Sequence, residues 1–295
     1  MSQSVPPWGH PACRLGKRNN TGTDSPMSNP LTTLEPVATV RPPAAYIGGK
    51  RMLAKRLVSI INAVPHETYA ECFVGMGGVF FRRDRRPKAE IINDWSEDVS
   101  NLFRILQHHY VAFLDMLRFQ LTTRSGFEKL LALEPRSLTD LQRAARFIYI
   151  QRLSFGGKVS GRHFGVSPAT AARFDLSKLV PVLEAIHERL ASVVIERLPW
   201  QEFLARYDRP GTLFYLDPPY FGSESDYGAE LFDRSQFEEM AGMLRGLRGR
   251  FLLSLNDHVE VRRIFDGFEF RKEDVRWTLS GNDNAKIAGE LIISG

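Results

Sequence analysis

The sequence predicts an α/β fold with a mostly parallel sheet, and three stretches of the chain support this prediction. Residues 68–73 have the character of a short strand that runs into a glycine-rich turn at residues 74–78 and then into an apolar helix start. Residues 90–94 form a second predicted strand, and residues 212–216 form a third that is mostly apolar. Near-continuous apolar strands separated by helical patterns are typical of parallel sheets with helices on both faces. We therefore expect an α/β sandwich.

Length and composition place the chain among proteins with a sizeable core. The 295 residues are 43% hydrophobic, and Lys+Arg 39 against Asp+Glu 34 gives a net charge of +5. Two cysteines, Cys13 and Cys72, provide no disulfide framework, which fits a reducing cytoplasm. No apolar run approaches membrane-spanning length, so we expect a cytoplasmic protein without a membrane partner. Residues 1–40 are rich in Ser, Pro, Asn, Thr and Gly, and we interpret them as a disordered leader outside the fold.

The most specific motif is Asp217-Pro218-Pro219-Tyr220, which closes the strand at residues 212–216. Proline cannot donate to a sheet ladder, so the strand must end here and leave the Asp217 carboxylate and backbone carbonyls as acceptors. Tyr220 adds an aromatic ring beside them. Such a corner suits a planar group with an exocyclic amine, because the acceptors can bind its N–H groups while its ring stacks on tyrosine. The alternative is an ordinary Pro-Pro turn with a packed tyrosine.

The glycine-rich turn indicates a nucleotide-like cofactor. Gly75 and Gly77 have Gly-x-Gly-Gly spacing rather than the Gly-x-Gly-x-x-Gly of dinucleotide sites, which argues against NAD. Asp94 ends the next strand 17 positions after Gly77, close to the ~20 expected for a carboxylate that binds ribose hydroxyls. The alternatives are a structural turn and a carboxylate that only caps the following helix.

A basic and aromatic segment indicates a nucleic-acid partner. Residues 141–174 contain six cations, interleaved aromatic residues and a glycine-rich loop, but no Asp or Glu. Such a segment suits contact with a DNA backbone and groove, and the alternative is a basic helix followed by an ordinary loop. The cations that we assign to DNA are Arg143, Arg146, Arg152, Lys158 and Arg162. We expect Arg143 and Arg146 to meet phosphates, and Lys158 and Arg162 to reach base edges from the loop.

Four signatures thus follow one another along the chain, and their order resembles that of a known enzyme family. They are Tyr46-Ile47-Gly48-Gly49-Lys50, Phe73-Val74-Gly75-Met76-Gly77, Asn93-Asp94 and Asp217-Pro218-Pro219-Tyr220, with the basic segment between the third and the fourth. In this order the chain resembles the Dam-like DNA adenine N6-methyltransferases, which use S-adenosylmethionine (SAM), over about residues 42–295. The resemblance implies a Rossmann-like SAM-dependent sandwich, with an antiparallel last strand and an inserted DNA-recognition element.

The resemblance also implies which residues bind the cofactor and the target base. The implied cofactor residues are Tyr46, Lys50, Phe73, Gly75, Gly77, Asp94 and Asp217. Tyr46 and Lys50 would hold the methionine part of SAM, and Asp94 the ribose. The implied catalytic residues are Asp217, Pro218, Pro219 and Tyr220. In this scheme the Asp217 carboxylate and the Pro218 carbonyl accept hydrogen bonds from adenine N6, and no metal takes part.

Four segments are expected, in a protein that binds duplex DNA. They are a leader (1–40), a cofactor-binding part (41–140), a basic DNA-recognition insertion (141–175) and a catalytic part (176–295). The expected partner is double-stranded DNA with one adenine flipped out, and a cognate restriction enzyme is an additional candidate. We expect a monomer in a restriction-modification or phage-like setting. The alternatives are an RNA or cytosine-N4 amino-methyltransferase, and a DNA-binding relative without catalysis.

Overall fold

A seven-stranded sheet organises the part of the chain that the computed structural model describes, residues 34–165, 171–223, 232–277 and 286–295. The strands are β1 (Thr68–Glu71), β2 (Ala89–Asn93), β3 (Val194–Glu196), β4 (Thr212–Leu216), β5 (Arg250–Asn256), β6 (Glu269–Trp277) and β7 (Lys286–Ser294). Their spatial order is β3-β2-β1-β4-β5-β7-β6. The pairs from β3 to β5 are parallel, and β7 lies antiparallel between β5 and β6. The predicted fold class, a mostly parallel sheet with an antiparallel last strand, is confirmed.

Helices cover both faces of this sheet. They are α1 (Ala54–Ala63), α2 (Glu97–His108), α3 (Tyr110–Leu117), α4 (Arg124–Ala132), α5 (Asp140–Leu153), α6 (Leu176–Leu190), α7 (Trp200–Tyr207), α8 (Ser235–Arg245) and α9 (Val259–Ile264). Leu213 and Tyr215 of β4 pack with α1 to α6, whereas Phe214 and Leu216 pack with α7, α8 and α9. Because alternate strand residues point to opposite faces, β4 is apolar at nearly every position. Within the described ranges, no helix is long and apolar enough to cross a membrane.

Residues 34–40 belong to the fold, which corrects the expected boundary of the leader at residue 40. Glu35–Pro36 pairs antiparallel with Arg85–Arg86 in a short separate ladder. The side chain of Val40 is buried and joins the core on the face that α1 covers. A two-residue ladder is too short to show a periodicity, so the sequence pattern could not indicate it. The rest of the predicted leader, residues 1–33, lies outside the described residues.

Helix α5 belongs to the core, so the expected recognition insertion at residues 141–175 begins on a packed helix, and its role in recognising DNA stays a prediction. The helix begins with a capping box in which the side chains of Thr139 and Gln142 each accept a backbone N–H of the other. It packs against α2, α3 and α4. Its buried apolar side chains are Ala144, Phe147, Ile148, Tyr149, Ile150 and Leu153. The acid-free stretch is therefore a core helix followed by a loop, of which residues 166–170 lie outside the described ranges.

Candidate active site

A cavity of about 900 Å³ opens where β1, β2 and β4 end. Carboxyl ends of parallel strands meet at one edge of a sheet, and this edge is the usual place for a ligand in an open α/β fold. Six of the seven predicted cofactor residues line the cavity: Tyr46, Lys50, Phe73, Gly75, Asp94 and Asp217. Gly77 does not line it, but shapes the turn at a φ of 72°. A Cβ at Gly77 would lie 2.2 Å from the Phe81 ring, so this position requires glycine.

Asp94 connects the glycine-rich turn to the start of α2. Its Oδ2 accepts the Gly75 N–H at 2.8 Å, and its Oδ1 accepts the Ser96 N–H at 2.9 Å. Burial raises the pKa of Asp94 to about 6, although both hydrogen bonds act to lower it. The carboxylate therefore supports the helix start and also lines the cavity, so the two roles expected for it are compatible. Its contact with a ribose stays a prediction.

Lys50 is the centre of a buried ionic cluster formed with Asp217, Tyr220 and Glu290. Its side chain is 3% exposed, and its Nζ lies 2.7 Å from Asp217 Oδ1 and 3.0 Å from Glu290 Oε1. Nζ also donates to the Tyr220 hydroxyl at 2.8 Å, and this hydroxyl donates to Glu290 Oε2 at 2.7 Å. Glu290 Oε1 accepts no hydrogen bond of good geometry from the described residues, so Lys50 attracts it mainly by charge.

The cluster holds more negative than positive charge, which sets the protonation of its members. One ammonium and two carboxylates carry a net charge of −1 when all three are ionised. Burial disfavours the Lys50 ammonium, but attraction to Asp217, Tyr220 and Glu290 outweighs it and raises the pKa of Lys50 well above its ordinary value. Burial raises the pKa of Asp217 to about 6 despite Lys50, and Glu290 adds to the rise. Ser254 donates to Asp217 Oδ1 at 3.1 Å and helps to orient the carboxylate.

Glu290 is a site residue that sequence reasoning missed. It lies on β7 and is 2% exposed. The available signal was a single carboxylate directly before the apolar run 291–293, because a buried acid needs a partner. Asn256, at the end of β5, is a second supporting residue. Its side chain accepts the Phe221 N–H at 2.9 Å and donates to the Phe221 carbonyl at 3.0 Å, which fixes the chain directly after Tyr220.

Two more cavity residues were not predicted, Glu71 and Trp95. Glu71 ends β1, is 2% exposed and accepts the Tyr69 hydroxyl at 2.7 Å. Burial raises the pKa of Glu71 to about 8. Trp95 follows Asp94 and is 42% exposed, with the Arg197 guanidinium 5.0 Å from its ring centroid. An acid that ends an apolar strand and a large exposed aromatic side chain are the signals that could have identified them.

The Asp-Pro-Pro-Tyr motif ends β4 as its sequence predicted. Pro218 and Pro219 are buried, and Pro219 lines the cavity together with Asp217. Tyr220 is half-buried, and the Nζ of Lys50 lies 4.4 Å from its ring centroid. Burial raises the pKa of Tyr220, so its hydroxyl stays protonated and donates to Glu290. The structure thus brings Asp217 and Tyr220 together with Lys50, which lies far from them in the sequence.

Arg146 has a structural role, which corrects its assignment to a DNA phosphate. It is 6% exposed. Its Nε donates to the Leu130 carbonyl at 2.7 Å, and its Nη2 donates to the Leu131 carbonyl at 3.2 Å. These carbonyls lie in the last turn of α4, where the helix itself leaves backbone acceptors short of donors, and the Leu130 carbonyl also accepts the Leu133 N–H at 3.4 Å. Arg146 therefore caps α4 from the neighbouring α5.

Arg143 and Arg152 also make contacts within the protein, although both stay partly exposed. Arg143 Nε donates to Asp98 Oδ1 at 2.6 Å, which ties α5 to α2. Arg152 Nη1 donates to the Pro43 carbonyl at 2.7 Å, and its Nη2 donates to the Arg173 carbonyl at 2.8 Å. Arg152 lines the cavity. Their contacts with DNA stay predictions.

Lys158 and Arg162 lie on the loop that follows α5, beside the cavity wall. The Ile47 N–H donates to the Gly157 carbonyl at 3.0 Å, which docks the loop against the first glycine turn. Lys158 is exposed. Arg162 Nη2 donates to Gln151 Oε1 at 3.3 Å and is half-buried. Of the two expected base readers, Lys158 has the more accessible position.

Comparison with known proteins gives a family for this arrangement. Residues 46–279 match the family model described as D12 class N6 adenine-specific DNA methyltransferase. The chain is 20% identical over 231 residues to the Type II methyltransferase M.CviBI of Paramecium bursaria Chlorella virus NC1A, covering 78% of this chain and 88% of that protein. It is 25% identical over 193 residues to the Type II methyltransferase M1.LlaDCHI of Lactococcus lactis subsp. cremoris, covering 61% of this chain and 66% of that protein.

Among solved structures, the chain is similar to an Escherichia coli protein, yhhF, that is described as a methyltransferase. The match covers 82% of this chain and 85% of that chain at 13% sequence identity, with a TM-score of 0.33. The fold assignment rests on the strand order and pairing in the sheet.

Proposed function

The chain belongs to the D12 class of N6 adenine-specific DNA methyltransferases, and from this premise we propose that Asp217 and Pro218 hold N6 of a flipped-out adenine for methylation. The reaction itself, methylation of adenine in DNA, follows from the family. The proposal concerns the residues that carry it out. The observation that supports it is the buried cluster of Lys50, Asp217, Tyr220 and Glu290, because it fixes an acceptor-rich corner at the edge of a cavity.

The lining of the cavity fits SAM, the methyl donor that the family implies. The half-buried carboxylate of Asp94 is available for ribose hydroxyls, and Trp95 offers an aromatic face beside it. Glu71 offers a buried acid, and an ammonium group beside it would favour its ionised form. When bound, SAM supplies a methyl group already activated by a sulfonium. A net negative cluster around Lys50 favours such a cation, because opposite charges attract strongly where water is excluded.

Asp217 and Pro218 then act on the amine of adenine. N6 is a poor nucleophile because its lone pair is delocalised into the ring. Hydrogen bonds from its N–H groups to the Asp217 carboxylate and the Pro218 carbonyl localise this lone pair and orient it. Lys50 and Ser254 hold Asp217 Oδ1 in place before the base arrives, so the carboxylate does not reorganise during the reaction. A carboxylate with a pKa of about 6 can also accept the proton that N6 must lose.

Tyr220 is proposed to receive the flipped base. Extruding a nucleotide from duplex DNA costs a few kcal/mol, and stacking on an aromatic side chain returns ~1–3 kcal/mol. The Tyr220 hydroxyl is bound between Lys50 and Glu290, which fixes the plane of the ring before the base arrives. Its fixed position reduces the entropy that binding would otherwise cost.

We propose that exposed Lys158 contacts DNA, with Arg143, Arg152 and Arg162 as further candidates after small side-chain movements. The exposed ammonium of Lys158 can bind a phosphate or a base edge directly, whereas each of the three arginines would first have to exchange a contact inside the protein. The names of both Type II relatives support methylation of a defined DNA sequence, with a cognate restriction enzyme as partner. We retain the expectation that the protein acts as a monomer.

The test is the Asp217→Asn variant, which keeps the size of the side chain and removes its charge. Loss of one preorganised contact at the reacting centre should lower the single-turnover rate ~10²–10³-fold. Binding of S-adenosylhomocysteine should change by only a few-fold. Asp266→Asn, which alters an exposed residue after α9, is the matched control. Near wild-type turnover of Asp217→Asn would rule out the proposed role, and sequencing of modified bases in DNA from expressing cells would identify the product.

A further inference from the structure

Two arginines lie on the cavity wall beside the glycine turns, and neither has a part in the proposed reaction. Arg51 and Arg82 both line the cavity; Arg51 is exposed and Arg82 is half-buried. Arg82 Nη1 donates to the Gly78 carbonyl. A Cβ at Gly78 would lie 3.5 Å from the Lys50 backbone nitrogen and 3.9 Å from both Arg82 Nη1 and Gly49 Cα. The Arg82 guanidinium therefore lies at the junction of the two turns, where Gly78 leaves space beside it.

The charges of these two arginines are not balanced by an acid in the described ranges. Within those ranges, the carboxylates Asp217 and Glu290 form ion pairs with Lys50, and no carboxylate forms one with Arg51 or Arg82. Burial lowers the pKa of Arg82, and the nearby charge of Arg51 lowers it further. Two like charges on one wall repel each other, and a half-buried guanidinium also loses hydration. An anion bound between them would remove both penalties.

The other charged groups of the cavity indicate which anion the two arginines would bind. Its acids are the buried Glu71 and the half-buried Asp94 and Asp217, which suit ammonium and hydroxyl groups rather than an anion. SAM carries one anionic group, the α-carboxylate of its methionine part. Lys50 was expected to hold the methionine part, but its ammonium is committed to Asp217 and Glu290. The carboxylate therefore requires another cation.

We propose that Arg82, assisted by Arg51, forms the subsite for the methionine carboxylate of SAM. The inference rests on the proposed function in one respect, namely that this cavity holds SAM. A guanidinium presents several N–H donors in one plane, which matches the two oxygens of a carboxylate. Its Nη1 is oriented by the Gly78 carbonyl, so the direction of the remaining donors is set before the ligand binds. A DNA phosphate is the competing anion.

Two ligands that differ by the amino-acid part separate these possibilities. S-adenosylhomocysteine carries the carboxylate, and 5′-methylthioadenosine lacks the whole amino-acid group. Isothermal titration of the full chain with each ligand should show that Arg82→Gln weakens S-adenosylhomocysteine binding ~10- to 100-fold, the range of a charge-assisted hydrogen bond. Binding of 5′-methylthioadenosine should change less than about 2-fold. Arg82→Lys should lose less affinity than Arg82→Gln, because it keeps the charge but not the planar donor pair.

Two further variants serve as control and as safeguard against misfolding. Arg86 lies on the same segment, is paired with Glu35 at 3.4 Å and does not line the cavity, so Arg86→Gln should leave both affinities unchanged. Arg51 is exposed, so Arg51→Gln should fold, and we expect a smaller loss that again affects only S-adenosylhomocysteine. Thermal denaturation of each variant checks that it is folded.

Each other outcome has a distinct meaning. Unchanged S-adenosylhomocysteine affinity in folded Arg82→Gln, or an equal loss for both ligands, would overturn the carboxylate subsite and leave the cofactor cavity in place. Unchanged ligand affinity with weaker duplex binding and a smaller salt dependence would assign Arg82 to a DNA phosphate instead. Failure of the wild-type protein to bind either ligand would overturn the proposed cofactor cavity and the subsite with it.

Discussion

Replacing Lys50 by methionine should change how the free energy of unfolding and the rate of methylation depend on pH. The change keeps the length of the side chain but removes the cation that Asp217 and Glu290 share, at 2.7 Å and 3.0 Å. Removing one partner of a buried ion pair typically costs ~3–5 kcal/mol, because a charge is left buried without compensation. The carboxylates can reduce this cost by taking up a proton. We therefore expect the pKa of Asp217 to rise further above its present value of about 6.

The sign of the pH dependence follows from this shift. A carboxylate whose pKa is higher in the folded than in the unfolded protein stabilises the fold at low pH, and this stability is lost as pH rises through the folded pKa. Lys50→Met should therefore be close to the wild type in free energy of unfolding near pH 5. At pH 8 it should be less stable by ~3–5 kcal/mol. The rate of methylation should also need a higher pH, because in the proposed mechanism Asp217 accepts hydrogen bonds from N6 as a carboxylate.

Two measurements test this, with Lys55→Met as the control. Lys55 is exposed in the first turn of α1, the helix that follows Lys50, so its replacement should change neither the stability nor the rate profile. Urea denaturation from pH 5 to pH 8.5 gives the difference in unfolding free energy, and single-turnover methylation over the same range gives the pH profile. A stability difference that does not grow with pH, together with an unshifted rate profile, would refute the reasoning about the cluster.

Three further predictions concern Arg146, the ladder at residues 34–40 and Glu71. Arg146→Ala should lower the melting temperature and leave the salt dependence of DNA binding unchanged. Lys158→Ala should make the slope of log K against log salt less steep by about 0.9 without destabilising the fold. Deleting residues 2–40 should lower the melting temperature relative to deleting residues 2–33, because the first deletion removes the ladder and buried Val40. Glu71→Gln should reduce the loss of stability that the wild type shows as pH rises towards about 8, measured by denaturation over pH 4.5 to 8.5.

The sequence was sufficient for the sheet and for most of the cavity, because both follow from short-range patterns. A strand that ends in glycines or in Asp-Pro-Pro-Tyr is visible locally, and parallel strands bring such ends to one edge whatever the helices between them do. Asp94 and Asp217 therefore line the same cavity, and their contacts with a cofactor stay predictions. Glu290 could not be placed in this way. Because β7 runs antiparallel, its pairing register with β5 decides which of its residues reaches the site.

The DNA-binding cations were the weakest part of the sequence reasoning, for a physical reason. The absence of Asp and Glu from residues 141–174 does not mean that the arginines there lack partners in space. Arg143 pairs with Asp98, 45 positions earlier, and Arg146 binds carbonyls of the preceding helix. An arginine on a core helix must satisfy several N–H donors as it is buried, and backbone carbonyls serve as well as acids. Charge composition along the chain therefore predicts solvent exposure poorly wherever the residues lie on a buried helix.

The antiparallel last strand has a role at the site as well as in the sheet. β7 pairs Glu290 with Asn256 of β5, and Asn256 in turn fixes the backbone of Phe221. Glu290 also accepts the Tyr220 hydroxyl, so the chain after β4 is bound on both sides by residues that β5 and β7 supply. Since Lys50 joins the same carboxylate from the first glycine turn, one ionic cluster connects the proposed cofactor wall to the proposed target-base corner. A substitution on β7 at this position should therefore affect methyl transfer as directly as one in the Asp-Pro-Pro-Tyr motif.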